Sequence, residues 1–255
     1  VKLAQQKTIQ IKKKNINIDK LEWDSDFFKF NIGFINKRFL NKSIISEMKK
    51  FILDNDTKLV QYLCDCHDNK SVKVAESNRF HFTDIRLTFE KKISRLIPIK
   101  LPTNFTYGIA QKYHIEELKT ISNHLYIDSR YYYDGNFNIE KINQFYKGWL
   151  EKAVKGLFED ECYCIFFKNV PVAFSTIKYN SISKATIGLF GVSSNYQGKG
   201  LAKILLDSLN NTLYVKNIKK VIVVTQGRNY SAQRTYQRSS FISLKSELWY
   251  HKWIK

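Results

Sequence analysis

No apolar run in this chain approaches the roughly 20 residues a membrane-spanning helix needs, so a helical membrane protein is excluded. Val1 to Lys20 is basic and lacks an apolar segment, so a secretory signal is not expected and the expected location is cytoplasmic. Nothing repeats, and no low-complexity linker interrupts the sequence. Cysteine is scarce, with 4 residues placed as Cys64-x-Cys66 and Cys162-x-Cys164. Zinc sites usually show Cys-x-x-Cys or His-x-x-x-His spacing, so buried reduced thiols are expected and no metal site is. The phosphate loop Gly-x-x-x-x-Gly-Lys-Ser/Thr is absent. The dinucleotide pattern Gly-x-Gly-x-x-Gly fails because Lys203 stands where its third glycine is required.

Acidic residues are the scarce charge. Against 23 Asp and Glu stand 42 Lys and Arg, for a net charge of +19. Such a balance invites a nucleic-acid reading. The only dense cluster, Lys12-Lys13-Lys14, is short and terminal, and Lys, Asn and Ile are abundant throughout. Nucleic acid is therefore not the expected partner; a positive field equally attracts small polyanions. At 255 residues, with 44% hydrophobic and 15% aromatic residues, the chain can bury a real core.

What is present is a glycine turn, Gln197-Gly198-Lys199-Gly200-Leu201-Ala202, between a strand-like and a helix-like run. Ile187 to Val192 is β-prone; from Leu201, apolar residues recur as Ile204, Leu205, Leu209 and Leu213 at helical spacing. Such a turn offers unpaired N–H groups and the positive end of a helix dipole to a phosphate. Gly198 and Gly200 permit positive φ and a close approach. A second candidate lies in Asn229-x-x-Ala232-x-x-x-Tyr236, where the strand Lys219–Thr225 meets a helix. The plain reading is a capping Asn, a small packing residue and a half-buried Tyr on one helix face.

A soft boundary falls at Pro98-Ile99-Lys100-Leu101-Pro102, giving residues 1–102 as a smaller N-terminal α/β region and 103–255 as the main domain. Upstream, 43–54 reads as a helix capped by Ser43 or Asn41, 59–63 as a strand, 68–78 as a weak helix and 80–89 as a strand. Downstream, strands are expected over 107–110, 161–168, 172–179, 184–192, 219–225, 241–244 and 248–254. Helices are expected over 115–122, 139–155, 201–215 and 229–238, with a polar aromatic loop over 123–136.

Gln197-x-x-Gly200-x-Ala202 resembles the acyl-CoA loop of the GNAT superfamily of N-acetyltransferases, and the element order resembles their α/β mixed-sheet acyl-CoA N-acyltransferase fold. The resemblance implies acyl-CoA as co-substrate, held by Val192, Gln197, Gly198, Lys199, Gly200, Leu201, Ala202, Asn229 and Ala232. The Val192 N–H would polarise the thioester carbonyl, and the Tyr236 phenol would protonate the departing thiolate. No covalent intermediate is needed, because a neutral amine already attacks a thioester.

Three further segments, Leu21-Glu22-Trp23-Asp24-Ser25-Asp26-Phe27-Phe28, Asp128-Ser129-Arg130-Tyr131 and Phe145 to Gly156, are similar to the dTDP-fucosamine N-acetyltransferases of bacterial surface-polysaccharide pathways. The chain departs from them at Ser239-Ser240, where a small residue and glycine usually end the last helix, and at Tyr131-Tyr132-Tyr133. The acceptor implied is a dTDP-amino-dideoxyhexose, its isomer and the acyl length left open. Trp23, Phe28 and Tyr131 are the candidates to stack on thymine, and Arg79 and Arg130 to bridge its phosphates. Asp128 or His124 would relay the amine proton. Another amine acceptor, or a non-catalytic binding protein of this fold, is the alternative reading. The oligomeric state stays open, a homodimer being one option. Replacing Tyr236 with Phe is expected to lower the turnover number by about ten-fold or more, below the usual ~10² for a general acid; an unchanged rate of CoA release would remove Tyr236 from the mechanism.

Overall fold

Alternating apolar residues make strands, and residues spaced three to four apart make helices, through residues 17–254, the part of the chain that the computed structural model describes. The Lys12-Lys13-Lys14 cluster lies outside these residues. The chain divides into two units. The first takes the chain up to Cys64, Asp68–Phe80 and the end from His251; the second takes Asp65–His67 and His81–Tyr250.

In the first unit β1 (Ile18–Lys20) leads through α1 (Glu22–Phe28) to β2 (Asn31–Ile35), α2 (Lys42–Asp54), β3 (Thr57–Asp65) and α3 (Asn69–Ser77). β1 runs antiparallel to β2, and β2 parallel to β3. Ile18, Ile32, Ile35, Leu59, Val60, Tyr62 and Met48 are buried. Asn41 caps α2, its side chain accepting from the Ile44 N–H at 3.0 Å, so the cap is Asn41 rather than Ser43. β1, α1 and β2 escape sequence periodicity because each holds at most 7 residues.

The second unit begins with β4 (His81–Lys92) and β5 (Phe105–Ile109). Then come α4 (Ile115–Ser122), α5 (Arg130–Asp134), α6 (Ile139–Val154), β6 (Glu161–Phe167), β7 (Val170–Ser181) and β8 (Lys184–Val192). α7 (Leu201–Val215), β9 (Lys220–Gln226), α8 (Tyr230–Arg238) and β10 (Ile242–Trp253) complete it, except that β10 ends in the first unit. The strands lie in the order β10-β4-β9-β8-β7-β6-β5, a mixed sheet in which β8 and β9 are parallel. Leu206, Leu209 and Leu213 of α7 and Tyr236 of α8 bury against Tyr163, Ile177, Ala185, Ile187 and Val223.

Two features depart from sequence expectation. The C-terminal segment is one strand, β10, rather than two. Its polar middle, Lys245-Ser246-Glu247, looks like a break in sequence; in the fold Glu247 pairs with Lys245 at 2.5 Å and with Arg86 of β4 at 3.6 Å. The other is that β4, from upstream of the proline boundary, pairs antiparallel with β9 along its whole length, from Arg86↔Gln226 to Lys92↔Lys220.

The decisive irregularity is in β8. Its register with β7 passes from Ile177↔Ile187 to Ser175↔Phe190, so Gly188 and Leu189 both stand opposite Thr176. Thr176 accepts the displaced Leu189 N–H on its hydroxyl at 2.7 Å, closing a β-bulge. The β8–β9 ladder ends just there, at Ile187↔Val223, while β8 continues to Val192 and β9 to Gln226.

Gly191 tests how tightly the far end of β8 is packed. A Cβ there would lie 2.5 Å from Leu125 Cδ1 and 2.8 Å from Phe174 Cε1. Gly191→Ala is expected to cost about 1–3 kcal/mol by overpacking, read as a lowered thermal midpoint; an unchanged midpoint would show that Leu125 moves aside freely.

Candidate active site

Where β8 and β9 part, a cavity of about 450 Å³ opens. Ser193 N–H donates to Val172 O at 2.9 Å, so the next pair, Ala173↔Val192, is a non-hydrogen-bonded one. By the same alternation Phe190 and Val192 turn their N–H and C=O groups away from β7, toward the gap left by β9. Both line the cavity.

The glycine turn forms one wall. Ser194–Tyr196 make a short 3-10 turn, and Gln197 folds back to donate its Nε2 to Val192 O at 3.1 Å. Gly198 and Gly200 hold φ of +74° and +79°, the left-handed region where glycine carries no steric cost. No atom lies within 4 Å of where their Cβ would be, so the space above both is open. Gly200 is the N-cap of α7 and offers no side chain, which leaves the first N–H groups of α7 to an external acceptor. Gln197, Gly198, Gly200, Leu201 and Ala202 all line the cavity. Lys199 is not among its lining residues; its ammonium donates to Asn195 O at 2.8 Å and stands over the Tyr196 ring.

α8 forms the opposite wall with Asn229, Ala232 and Tyr236. Asn229 Oδ1 accepts from the Ala232 N–H at 2.9 Å, which caps the helix and leaves the amide NH₂ as a donor. Tyr236 is only 4% exposed, enclosed by the rings of Phe89, Phe190 and Phe241 at 5.7–6.0 Å. Burial pushes its phenol well above the ordinary value, so it holds its proton at neutral pH and above. His124 and Asp128 reach the same cavity from the loop before α5.

The other expected acceptor residues lie elsewhere. Tyr131 is 1% exposed, locked edge-on against Phe137 and Phe145, so its ring has no free face for a base. Arg130 is not the loop cation its polar surroundings suggest. Its guanidinium is sandwiched between Tyr131 and Trp249 at 4.3 and 4.2 Å and donates to the Tyr131 hydroxyl at 2.8 Å. Trp23, Phe28 and Arg79 belong to the first unit. Phe28 is buried there at 3% exposure, which corrects its expected stacking role. Trp23 is half-buried against Phe27. Arg79 lines a hollow of about 640 Å³ with Lys49, Lys252 and Trp253.

A cluster that the sequence does not reveal supports the α8 wall. Arg228, in the turn before Asn229, forms an ion pair with the buried Asp84 of β4 at 3.2 Å, donates to Thr83 O, and lies 3.5 Å over the Tyr133 ring of α5. The Gly227 N–H donates to Ile85 O at 2.7 Å. Standing 144 positions apart, Asp84 and Arg228 carry no local signal of pairing. Among the described residues no group of His, Cys, Asp and Glu could hold a metal. Likewise no helix among them is long and apolar enough to cross a membrane.

A bulged strand parting from its parallel neighbour, a glycine turn opening a helix and a buried tyrosine across the gap thus surround one cavity. Residues 124–241 match the Acetyltransferase (GNAT) family. Solved structures agree in fold. A GCN5-related N-acetyltransferase from Sphaerobacter thermophilus aligns at 12% identity and a TM-score of 0.66, over 93% of this chain and 76% of that one. One from Kribbella flavida aligns at 11% and 0.60, over 87% and 81%. A tandem GNAT protein from the clavulanic acid biosynthesis pathway aligns at 7% and 0.62, over 87% and 75%. No curated protein matches the sequence.

Burial pushes the Asp84 carboxyl up to about 6 from its ordinary 3.8, against the opposing pull of Arg228, the Ile85 N–H and Arg130, while Asp128 adds to the rise. Between these values the folded chain holds the proton and the unfolded one does not, so stability falls as pH rises through that window. Relative to Asp84→Asn, the wild type is expected to lose on the order of 3 kcal/mol between about pH 3.5 and 6.5, with no further change above. Urea unfolding across that range reads it; the opposite slope would mean that Arg228 outweighs burial.

Proposed function

We propose that this chain transfers an acyl group from acyl-CoA to the amine of a dTDP-linked amino-dideoxyhexose, by direct attack in a ternary complex, in the cytoplasmic steps of bacterial surface-polysaccharide synthesis. The observation that carries the acyl-transfer half is the convergence of three kinds of donor on one cavity: turn N–H groups, strand N–H groups and the protonated Tyr236 phenol. The pyrophosphate of CoA takes the N–H groups at the start of α7. Its pantetheine arm then runs as a surrogate strand in the gap between β8 and β9, with the Asn229 amide as a further donor.

The chemistry follows from that placement. The thioester carbonyl lies against the N–H of Val192, which stabilises the oxyanion as the amine adds. Collapse breaks the C–S bond, and Tyr236 gives its proton to the thiolate. Holding amine and thioester in line supplies the largest share of the rate, with effective molarities of ~10⁵–10⁸ M in model reactions.

Support for a sugar-nucleotide acceptor is the resemblance of Trp23–Phe28, Asp128–Tyr131 and Phe145–Gly156 to the dTDP-fucosamine N-acetyltransferases. Tyr131 and Phe28 are packing residues on this reading rather than stacking platforms, in keeping with their burial. Asp128 lines the cavity, which supports a role for it near the amine. Residues 1–102 contribute to acceptor binding on this reading, Trp23 and Arg79 among them.

CoA release from acetyl-CoA, measured with 3-amino and 4-amino dTDP-dideoxyhexoses, tests the acceptor. Release is expected with one isomer only, after which acyl chains of increasing length define the donor. Acetyl-CoA binding with no release for either isomer would leave the acyl-CoA site standing and move the acceptor to another amine.

A further inference from the structure

The hollow that Arg79 lines belongs wholly to the first unit. Part of its wall is apolar, formed by Ile52, Leu53, Trp253 and Ile254. Leu53 is 83% exposed, a large apolar side chain left uncovered on α2. Its charged lining residues are Lys49, Arg79 and Lys252, and no Asp or Glu lines it. The three cations come from separate elements: Lys49 from α2, Arg79 from just beyond α3, and Lys252 from the end of β10. Neither Lys49 nor Arg79 forms an ion pair among the described residues. Burial first, then the charges of Arg79 and Lys49, hold the Lys252 ammonium below its usual range, with no carboxylate pulling the other way.

The backbone at Arg79 is a second, independent observation. Two hydrogen bonds close the end of α3: Phe80 N–H donates to Ala75 O at 3.0 Å, and Arg79 N–H to Glu76 O at 2.9 Å. In that motif the residue at the Arg79 position is usually glycine, because its backbone must be left-handed. Arg79 holds φ of +59° there, with a steric cost that glycine would avoid. Strain of this kind is kept where the side chain is needed. A plain alternative is that the cations offset the negative end of the α3 dipole. That accounts for Lys252, whose ammonium donates to Asn78 O at 2.8 Å. It accounts neither for a strained arginine beside an ammonium already in place nor for the apolar wall.

We propose that this hollow binds an organic phosphate, its phosphate or diphosphate held by Lys49, Arg79 and Lys252 and its organic body lying on the apolar wall beside Trp253. Charge favours phosphate over carboxylate. A phosphate monoester carries about 1.5–2 negative charges at neutral pH, against one for a carboxylate, and three cations surround the hollow. The guanidinium fork takes two phosphate oxygens, and the ammonium groups act as point charges. At about 640 Å³ the hollow falls in the size range of small-molecule sites and is far larger than inorganic phosphate needs. The site goes beyond acyl transfer and does not rest on it.

Isothermal titration at fixed ionic strength, without acyl-CoA, tests the proposal with four probes: dTDP, hexyl phosphate, inorganic phosphate and thymidine. At least one of the two organic phosphates is expected to bind about ten-fold more tightly than inorganic phosphate, and thymidine to bind no better than inorganic phosphate. Arg79→Gly and Lys49→Ala are each expected to weaken that binding by about ten-fold, and the pair by about a hundred-fold. A preference for dTDP ties the hollow to the nucleotide of the acceptor proposed above; a preference for hexyl phosphate gives it a lipid-like ligand instead. Arg79→Gly is also expected to raise the unfolding midpoint by about 2–4 °C without ligand, because it releases the strain. Lys49→Ala, at an exposed helix position, serves alone if the Gly variant does not fold. Equal affinities in wild type and variants, or no binding of either organic phosphate, would overturn the site. A lowered midpoint in Arg79→Gly would overturn it too, by showing that the arginine holds the fold. Failure of acyl transfer looks different, since the wild type would release no thiol and still bind the phosphate.

Discussion

The hydrogen-bonded ladder between β8 and β9 ends at Ile187 and Val223, and beyond it each strand keeps only its other neighbour, β7 for β8 and β4 for β9. A sheet interior does not normally leave such groups without a neighbour strand. Here the parting is forced by one extra residue: Gly188 and Leu189 share the place opposite Thr176, and the bend that results carries β8 away from β9. The open N–H and C=O groups are what an extended amide chain such as pantetheine requires. The cavity, the position of the glycine turn at the end of β8, and the distance that Tyr236 must cover from α8 all follow from that bend.

The recognition chemistry drawn on here is mostly backbone. The turn contributes N–H groups through two glycines at positive φ, β8 contributes N–H groups through its bulge, and α7 contributes the field of its N-terminus. Side chains are used sparingly, and chiefly to fix protonation states. The aromatic wall around Tyr236 keeps a phenol neutral, while burial near Trp149 keeps a carboxylate basic. Both shifts run upward and have one cause, the removal of water from around the charged form.

Legibility from sequence followed the range of the interactions. The Gln197–Ala202 turn and the Asn229, Ala232 and Tyr236 trio were readable because a turn and one helix face fix them within a dozen residues. Asn229 proved to be both cap and cavity wall, so the plain and the functional readings of it were never exclusive. Arg130 misled because polarity of its loop says nothing of Trp249, which closes over it from far along the chain. Tyr131 and Phe28 misled for the related reason that an aromatic ring reads alike whether it packs a core or faces a ligand. Ser240 holds φ of +64° where a glycine would be usual, so the missing glycine of the sequence reflects a tolerated left-handed serine and not a different end to α8. The bulge and the Asp84–Arg228 pair have no spacing signature at all.

The place of β4 bears on where this chain can be cut. The segment that carries the family's signature starts at residue 124, yet the strand flanking β9 on its outer side comes from His81–Lys92. A fragment starting at residue 103 would keep every motif residue and lose its neighbour along seven paired positions of β9. It would also lose Asp84, and with it the anchor of the turn that presents Asn229. The stretch that matches the family is therefore shorter than the stretch whose strands pair with it.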